Sequence, residues 1–355
     1  MVSQSELAAE LGISQRTVSS ALNGSGRVGE AMRARILAHA AKAGYRPNHL
    51  ASGLRGAKTS SIGIVWSFGD QWTNDSAIAL DITSRLQHDG FAVYHALHDE
   101  DDAALCASID DLLARSVDAL IVRARDAQLA SPAVRARLAS VASVVVCREP
   151  MTQLKCDQVA HDRDLAIREV VDHFHASGRH RPAMILAMSD ESNPPKFKAF
   201  AERWAEHGIK AKLVDITDNG RIPHPTYAEH GAAHQTALKR EFPPSDSRRK
   251  PKPLPDCLFC FNDIGALYAL RELRSRGVSV PDDVAVCGFN NNPAGGAWEP
   301  ALATGDRRRN EVAEAVVALL ERRHANPSAP FSTTIVPMRF LWRESAGGVA
   351  PTLSQ

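Results

Sequence analysis

The sequence predicts a small all-α segment at the amino terminus, followed by a larger α/β core that contains two doubly wound parallel sheets. Three observations predict this fold class. Apolar residues recur at helical spacing within residues 1–46. From residue 61 onward, apolar strand-like runs alternate with amphipathic helices, as in parallel sheets covered on both faces. The second half of the chain repeats this alternation, so we expect two lobes of similar construction.

The first two helices have readable boundaries. Ser3 is a favourable N-cap, and Glu6 three residues later completes a capping box. Gly12 supplies the permissive backbone that ends this helix. Ser14 caps a second helix, which carries Val18 on its apolar side. Two short helices joined by a tight turn form a helix-turn-helix, whose second helix enters the major groove of DNA by its N-terminal residues.

A third helix and the local charge support this interpretation. The third helix is expected from about Glu30 to Ala43 and can cover the first two. Residues 1–58 hold eight Lys and Arg against three Glu, a net charge of +5, whereas the whole chain carries +1. The remaining residues therefore carry −4. A basic segment on an otherwise slightly acidic chain suits binding to phosphates.

The core elements follow in order. The first half reads as strand 61–66, helix 76–89, strand 91–97, helix 101–115, strands 117–122 and 142–147, and a strand around Val159. The second half reads as helix 165–176, strand 182–188, helix 196–207, strand 210–216, helix 227–240, strand 257–261, helix 264–276, strand 284–289, helix 309–324 and final strands in 333–342. No glycine-rich phosphate-binding loop follows any of these strands, so we expect no nucleotide cofactor.

Composition restricts the function further. No apolar run approaches the roughly 18–20 residues of a membrane span, and the polar N-terminus differs from a secretion signal. Six scattered cysteines indicate a reducing cytoplasm. Cys257 and Cys260 have C-x-x-C spacing, but strand alternation directs them to opposite faces, which argues against a metal or redox pair.

G-x-S-x-G and H-E-x-x-H motifs are absent, and His173 and His175 do not share a helix face. We therefore expect neither catalysis nor a bound metal.

Several longer motifs resemble one family. TVSSALNG (17–24), GYRPN (44–48) and LASGLRG (50–56), at these spacings, resemble the DNA-binding headpiece and hinge of the lactose-repressor (LacI/GalR) family. SGRHRPAMI, FNDIGALYALRELRSRGVSVPDDVAVCGFNN and PMRFLWRES resemble its two-lobed effector core, which is similar to periplasmic sugar-binding proteins. The resemblance implies a bacterial transcriptional regulator, with repression favoured, that binds a palindromic operator as a homodimer. A small molecule between the lobes would control it.

The resemblance also implies a domain plan. The helix-turn-helix headpiece would span 1–46, a hinge helix 47–58 and the core 59–345. Within the core, the first lobe would comprise 59–160 plus 290–322, and the second lobe 161–289 plus 323–345. Residues 346–355 are rich in small residues and proline and are expected to be a disordered tail.

The resemblance assigns DNA contacts by position. Gln15 and Arg16 fall where the family reads bases, and an arginine there can donate two hydrogen bonds to guanine. Ser20 stands where the family very often has arginine, so the operator is expected to differ from the usual one. Leu54 occupies the place of a leucine that wedges into the minor groove, although a flexible linker with an incidental leucine remains an alternative. The other expected contacts are Ser14, Thr17, Ser19, Asn23, Asn48, Ala51 and Arg55.

The expected effector contacts are Arg148, Lys196, Asn262, Asp263, Asn290 and Arg307. Asn262 and Asp263 match the family's Asn-Asp pair. Lys196 replaces an arginine, Arg148 lies near a usual acid, and Asn290 replaces another acid. Arg307 stands where a neutral glutamine is common, so the cleft would be unusually positive and would suit a sugar phosphate or sugar acid.

The altered cleft also fits three alternatives. Arg148 and Arg307 could pair with the neighbouring Glu149 and Asp306, or these side chains could point away from the cleft. A cleft without ligand binding would make the chain a ligand-independent regulator. A soluble sugar-binding protein is a different class that the core would suit, but the basic headpiece and the absence of a secretion signal argue against it.

Overall fold

A computed structural model describes residues 2–22, 28–45, 59–67, 75–98, 101–188, 193–217, 227–243 and 252–348. The chain divides into two compact units, Met1–Thr59 and Ser60–Gln355. The predicted hinge (47–58) lies outside the described residues. So do the DNA contacts expected at Asn23, Asn48, Ala51, Leu54 and Arg55.

The first unit contains helices α1 (Gln4–Leu11), α2 (Gln15–Leu22) and α3 (Glu30–Lys42). The predicted capping box is confirmed: Glu6 N donates to Ser3 Oγ at 3.2 Å, and Ser3 N donates to Glu6 Oε2 at 2.7 Å. Gly12 ends α1 in the left-handed region at φ 65°. The buried core of this unit consists of Leu7, Ala8, Val18, Ala21, Ile36 and Ala40.

The second unit begins with a lobe built around a parallel sheet. Its elements are β1 (Ser61–Ser67), α4 (Asp75–His88), β2 (Ala92–His98), α5 (Asp102–Ala114), β3 (Ala119–Arg123), α6 (Asp126–Ala130), α7 (Pro132–Leu138), β4 (Ala142–Val146) and β5 (Asp157–Asp162). The short helices α6 and α7 were not predicted from the sequence.

The remaining elements are α8 (Arg163–Ala176), β6 (Pro182–Leu186), α9 (Asn193–Glu206), β7 (Lys212–Asp215), α10 (Tyr227–Glu241), β8 (Cys257–Cys260), α11 (Asp263–Ser275), β9 (Ala285–Phe289), α12 (Pro293–Gly296), β10 (Ala303–Asp306), α13 (Arg309–Ala325), β11 (Thr333–Pro337), β12 (Arg339–Leu341) and a 3-10 helix (Glu344–Ala346). The first sheet has the order β11-β5-β4-β3-β1-β2, and the second has the order β12-β10-β9-β8-β6-β7. All strand pairs of the described segments are parallel except β10–β12. The expected two doubly wound sheets are confirmed.

The chain changes lobes at positions that differ from the prediction. Residues 290–322 were assigned to the first lobe, but β10 pairs with β9 in the second sheet, with Ala303 opposite Cys287. Residues 323–345 were assigned to the second lobe, but β11 pairs with β5 in the first sheet, with Thr333 opposite Gln158. The crossings therefore fall at the β5–α8, β10–α13 and β11–β12 junctions. Hydrogen bonding to strands that are distant in sequence decides which lobe contains β10 and which contains β11.

The first residues of the expected tail belong to the folded core. Ala346 is buried against the core of the second lobe. Ser345 Oγ, just before it, donates to the carbonyl of Val286 at 2.7 Å, and this bond fixes the 3-10 helix to β9. Residues 346–348 are therefore ordered, and 349–355 lie outside the described part of the chain.

The two faces of the second sheet carry separate cores. Cys257 packs in one core and Cys260 in the other, which confirms that the C-x-x-C pair points to opposite faces. Burial raises the pKa of both thiols, so they stay protonated. In the described segments, no helix is long and apolar enough to cross a bilayer.

Candidate DNA-binding helix and interlobe cleft

Helix α2 presents a polar N-terminus to solvent. Ser14 Oγ accepts a hydrogen bond from Thr17 N at 3.1 Å and lies 2.8 Å from Thr17 Oγ1, so these hydroxyls define the helix start. Gln15 and Arg16 follow on the first turn and are exposed. Val18 is buried on the opposite side. Gln15 and Arg16 thus extend into solvent from a helix whose opposite side is packed in the core.

The remaining expected contacts on this helix are less accessible. Thr17, Ser19 and Ser20 are partly buried, whereas Gln15 and Arg16 are exposed. Arg16 forms no ion pair with another described residue, so its guanidinium is available to an external acceptor.

The cleft between the lobes lies where several strands of the first sheet end. Asp162 closes β5, and its carboxylate accepts from Leu165 N at 3.0 Å, which starts α8. Arg163 is thereby placed at the first crossing, with a side chain only 11% exposed. Its Nη2 donates to Glu149 Oε1 at 2.8 Å. A buried guanidinium thus meets a carboxylate that is itself 60% exposed.

Further positive charge surrounds Arg163. Burial lowers the pKa of Arg163, and the nearby Arg148 and Arg123 lower it further, whereas Glu149 raises it. His161, at the end of β5, is 3% exposed. Burial lowers the pKa of His161 to about 4, and Arg123 and Arg163 add to this effect, so the imidazole is neutral at pH 7. Neither ring nitrogen of His161 makes a hydrogen bond of normal geometry within the described structure.

The second lobe faces this cluster with an apolar wall. Arg163 and Lys196 line a small cavity together with Ile167, Met184, Phe259, Phe261 and Phe289. Lys196 Nζ donates to Asn193 Oδ1 at 2.8 Å and lies 5.8 Å from the centroid of the Phe261 ring.

Asn262 and Asp263 lie at the start of α11. Asn262 Oδ1 accepts from Gly265 N at 2.7 Å, and its Nδ2 donates to His230 Nε2 at 2.7 Å. Asp263 is 2% exposed and accepts from Thr304 Oγ1 at 2.6 Å and from the backbone of the β9–α12 loop. Both side chains are thus engaged in holding the loops together.

A second cavity, of about 480 Å³, contains Asn290 and Arg307. Asn290 has a left-handed backbone, φ 96°, and its N–H donates to Gly305 O at 2.8 Å. The charged residues of the lining are Asp306, Arg307, Arg308, Arg309, Glu311, Glu314 and Arg339. They sum to +1, because four cations face three acids. Arg339 Nε pairs with Asp306 at 3.1 Å and Arg308 with Glu311 at 2.8 Å.

Two family models match the chain in sequence. Residues 5–48 match the model described as bacterial regulatory proteins, lacI family, and residues 171–346 match the periplasmic binding protein-like domain. The first match contains α2, and the second contains most of the second lobe. The chain belongs to the lacI family of DNA-binding transcriptional regulators. Both models describe regulators or binding domains, and neither describes an enzyme.

This lacI-family regulator has full-length relatives. It is 24% identical over 313 residues to the HTH-type transcriptional regulator GntR of Escherichia coli K12, covering 84% of this chain and 85% of the relative. It is 27% identical over 341 residues to PtxS of Pseudomonas plecoglossicida, covering 90% and 89%.

Two solved structures have the same fold as this regulator. The lac repressor dimer bound to operator and the anti-inducer ONPF has a TM-score of 0.79 and 21% identity, covering 97% of this chain and 99% of that one. The transcriptional regulator CelR in complex with cellobiose has a TM-score of 0.64 and 22% identity, covering 97% and 100%.

The structure of this regulator distributes the six expected effector residues over three places. Arg148 and Lys196 belong to the surroundings of Arg163, Asn290 and Arg307 line the 480 Å³ cavity, and Asn262 and Asp263 cap α11. Sequence reasoning missed Arg163, Arg123 and His161. The available signal was their position at the carboxyl ends of strands, where ligands bind in α/β sheets.

The buried Asp263 gives a pH-dependent stability. Burial raises its pKa to about 7, against 3.8 for the ordinary carboxyl group. The unfolded chain loses this proton near pH 4 and the folded chain only near pH 7, so the carboxyl group stabilises the fold most at low pH. We expect the difference in unfolding free energy between the wild type and Asp263→Asn to change in favour of the variant as the pH rises from 4 to 7. The change is at most about 4 kcal/mol. Urea titrations at several pH values measure this, and a constant difference would contradict it.

Proposed function

We propose that this regulator is a repressor that binds a palindromic operator as a homodimer in the bacterial cytoplasm and is controlled by a small molecule in the interlobe cleft. The observation that carries the proposal is the exposed pair Gln15 and Arg16 on the first turn of α2. In the major groove, an arginine at this place donates two hydrogen bonds to O6 and N7 of guanine. Glutamine can bond adenine in the same two-point manner.

The homodimer is supported by an apolar edge of the first sheet. Among the described strands, β2 lies at that edge and exposes Tyr94 and Leu97, and Leu97 is 58% exposed. Leu80 on the neighbouring α4 is 65% exposed. Covering this edge with a second copy removes both the exposed apolar surface and the open strand edge. A two-fold dimer also matches a palindromic site, and the related lac repressor structure is a dimer on its operator.

The proposed effector is a sugar or an anionic sugar derivative. The cleft has polar groups from both lobes, among them Arg148, Lys196, Asn290 and Arg307, and a related regulator is known in complex with cellobiose. The effector would shift the population between two lobe arrangements, because it contacts both lobes and so favours the arrangement in which both contacts are made. Such a shift at the cleft would change operator affinity.

The test is a selection of bound fragments from genomic DNA, repeated with neutral sugars, sugar phosphates and sugar acids. We expect a palindrome that is bound more tightly than either half-site alone, and one class of compound that releases it. Equal affinity for the palindrome and the half-site would contradict the dimer, and failure to select any sequence would contradict the proposal as a whole.

Arg16→Ala is expected to weaken binding of the homodimer to the selected operator by at least roughly 30-fold, because each half-site loses a two-point base contact of about 1–3 kcal/mol. Binding to generic DNA is expected to weaken much less, because only one charge per subunit is lost. Fluorescence anisotropy on both DNAs measures this. Arg35→Ala is the matched control, since it removes an exposed arginine from α3. Equal losses of Arg16→Ala on both DNAs would assign Arg16 to phosphate binding.

A further inference from the structure

The cleft around Arg163 has a chemical bias that an ordinary sugar site lacks. Hydrogen-bond donors dominate it: Arg163 and Lys196 line the cavity, with the charges of Arg123 and Arg148 nearby. Sugar hydroxyls require acceptors as well as donors. Asp263 accepts from Thr304 and from the β9–α12 loop, and Asp306 accepts from Arg339. Asp263 and Asp306 are thus engaged in holding the protein together, and Glu311 and Glu314 of the larger cavity pair with Arg308 and Arg85.

Glu149 pairs with the buried Arg163 from an exposed position. Its Oε1 lies 2.8 Å from Nη2 of Arg163, and its side chain remains 60% exposed, whereas that of Arg163 is 11% exposed. A buried guanidinium needs an anionic partner, but an exposed carboxylate gains little from the pair and exchanges readily with solvent. The pair is therefore asymmetric, and an external carboxylate can replace Glu149 without leaving a buried charge unpaired.

The rest of the cavity is apolar and partly aromatic. Phe261 and Phe289 stand beside Ile167 and Met184, and the Lys196 ammonium lies over the Phe261 ring. Such a wall binds a flat apolar body by contact with its faces. It offers no acceptor to a polyhydroxylated chain, so burial of hydroxyl groups there would cost free energy.

His161 is a buried neutral imidazole in the same region, with the backbone of Val336 as a weak hydrogen-bond partner. It is 3% exposed, and neither ring nitrogen makes a hydrogen bond of normal geometry among the described residues. The influence of Arg163 and Arg123 on its protonation places it next to the cationic cluster. A neutral imidazole beside two guanidinium groups donates one further hydrogen bond to an anion without adding charge.

We propose that the effector is an organic carboxylate on a planar apolar body, and that its carboxylate displaces Glu149 from Arg163. This inference rests on the proposed effector-controlled function but assigns the effector to a different chemical class, so the titrations below decide between a sugar and a planar carboxylate. The carboxylate accepts from the Arg163 guanidinium, Lys196 supplies a second positive charge, and the apolar body lies against Phe261. The cavity is about 10 Å³ in volume, the room of one water molecule, and its apolar lining residues belong to the core of the second lobe, so the apolar body must displace side chains of this lobe to enter.

Calorimetric titration of the full chain with benzoate, gluconate and glucose tests the ligand class. Benzoate represents the planar carboxylate, gluconate a hydroxylated one and glucose a neutral sugar. We expect benzoate to bind more tightly than gluconate and glucose to show no binding. Tighter binding of gluconate or of glucose would overturn the proposed class, and so would the absence of binding by all three.

Two substitutions with opposite expected effects on benzoate affinity test the site. Glu149→Gln removes the competing carboxylate and is expected to tighten benzoate binding roughly tenfold, whereas Arg163→Met is expected to abolish it. Glu202→Gln and Arg168→Met are the matched controls, because both remove an exposed charge, from α9 and α8, and should leave the affinity unchanged. Lys196→Met provides a second loss of binding if Arg163→Met unfolds, which circular dichroism reports. If Glu149→Gln leaves the benzoate affinity unchanged, or if Glu202→Gln raises it equally, the proposal that Glu149 competes with the ligand for Arg163 is overturned.

A measurement of operator binding tests the proposed function independently of this inference. Binding of the wild-type protein to the selected operator is measured without benzoate. Operator binding that persists while the benzoate results fail overturns only the ligand assignment. Loss of operator binding by the wild-type protein itself would instead contradict the proposed function.

Discussion

Asp157→Ala is expected to lower the free energy of unfolding of the second unit by about 3–5 kcal/mol, because it leaves a buried guanidinium without its partner. Asp157 is fully buried at the start of β5, and Arg323 on α13 is 7% exposed. The carboxylate accepts from Arg323 Nε at 2.9 Å and from Ser332 N at 2.8 Å. The acid therefore ties β5 to the helix and to the segment that leads into β11.

Urea unfolding followed by far-ultraviolet circular dichroism measures this loss. Asp110→Ala is the matched control, since Asp110 also pairs with an arginine, Arg137, at 2.7 Å. The Asp110 side chain is 52% exposed, so water replaces the arginine when the pair is broken. We expect a much smaller change there. Equal destabilisation by the two substitutions would contradict the argument that burial makes the Asp157 pair strong.

The sequence predicted well those features that are decided by residues close together in the chain. The capping box of Ser3 and Glu6 and the glycine stop at Gly12 need only neighbours, and both are confirmed. The lobe membership of β10 and β11 was predicted wrongly. Both strands are short, and their places depend on pairing with β9 and β5, which no local pattern reports. Long-range pairing therefore limited the fold prediction.

The candidate site likewise contains residues that the sequence predicted and residues that only the structure reveals. The resemblance to the family pointed to Lys196 and Arg148 by their positions, but the sequence assigned no role to Arg163. Its importance comes from burial at a crossing between lobes and from Glu149, fourteen residues earlier, and neither is visible in the sequence. Asn262 and Asp263 show the converse, because residues assigned by position to an effector also hold the local structure through His230 and Thr304. Their contact with an effector stays a prediction.

Leu7→Ala is expected to abolish DNA binding while leaving the second unit folded. Leu7 is fully buried in α1, in a core of only six buried residues among those described. Truncation of a buried leucine to alanine costs about 2–5 kcal/mol. A unit of 59 residues has a total stability of only about 3–9 kcal/mol, at about 0.05–0.15 kcal/mol per residue. The substitution thus removes a large part of the free energy that keeps α2 folded.

The two units allow this loss to be measured separately. Limited proteolysis followed by mass spectrometry is expected to show cleavage within residues 2–45 of Leu7→Ala, and anisotropy is expected to show no operator binding. The thermal transition of the second unit should stay at its wild-type temperature. Leu37→Ala is the matched control, because Leu37 on α3 is 46% exposed and contributes little burial. Wild-type operator affinity in Leu7→Ala would mean that DNA stabilises the unit by more than the core loses, and the headpiece would then fold on its operator.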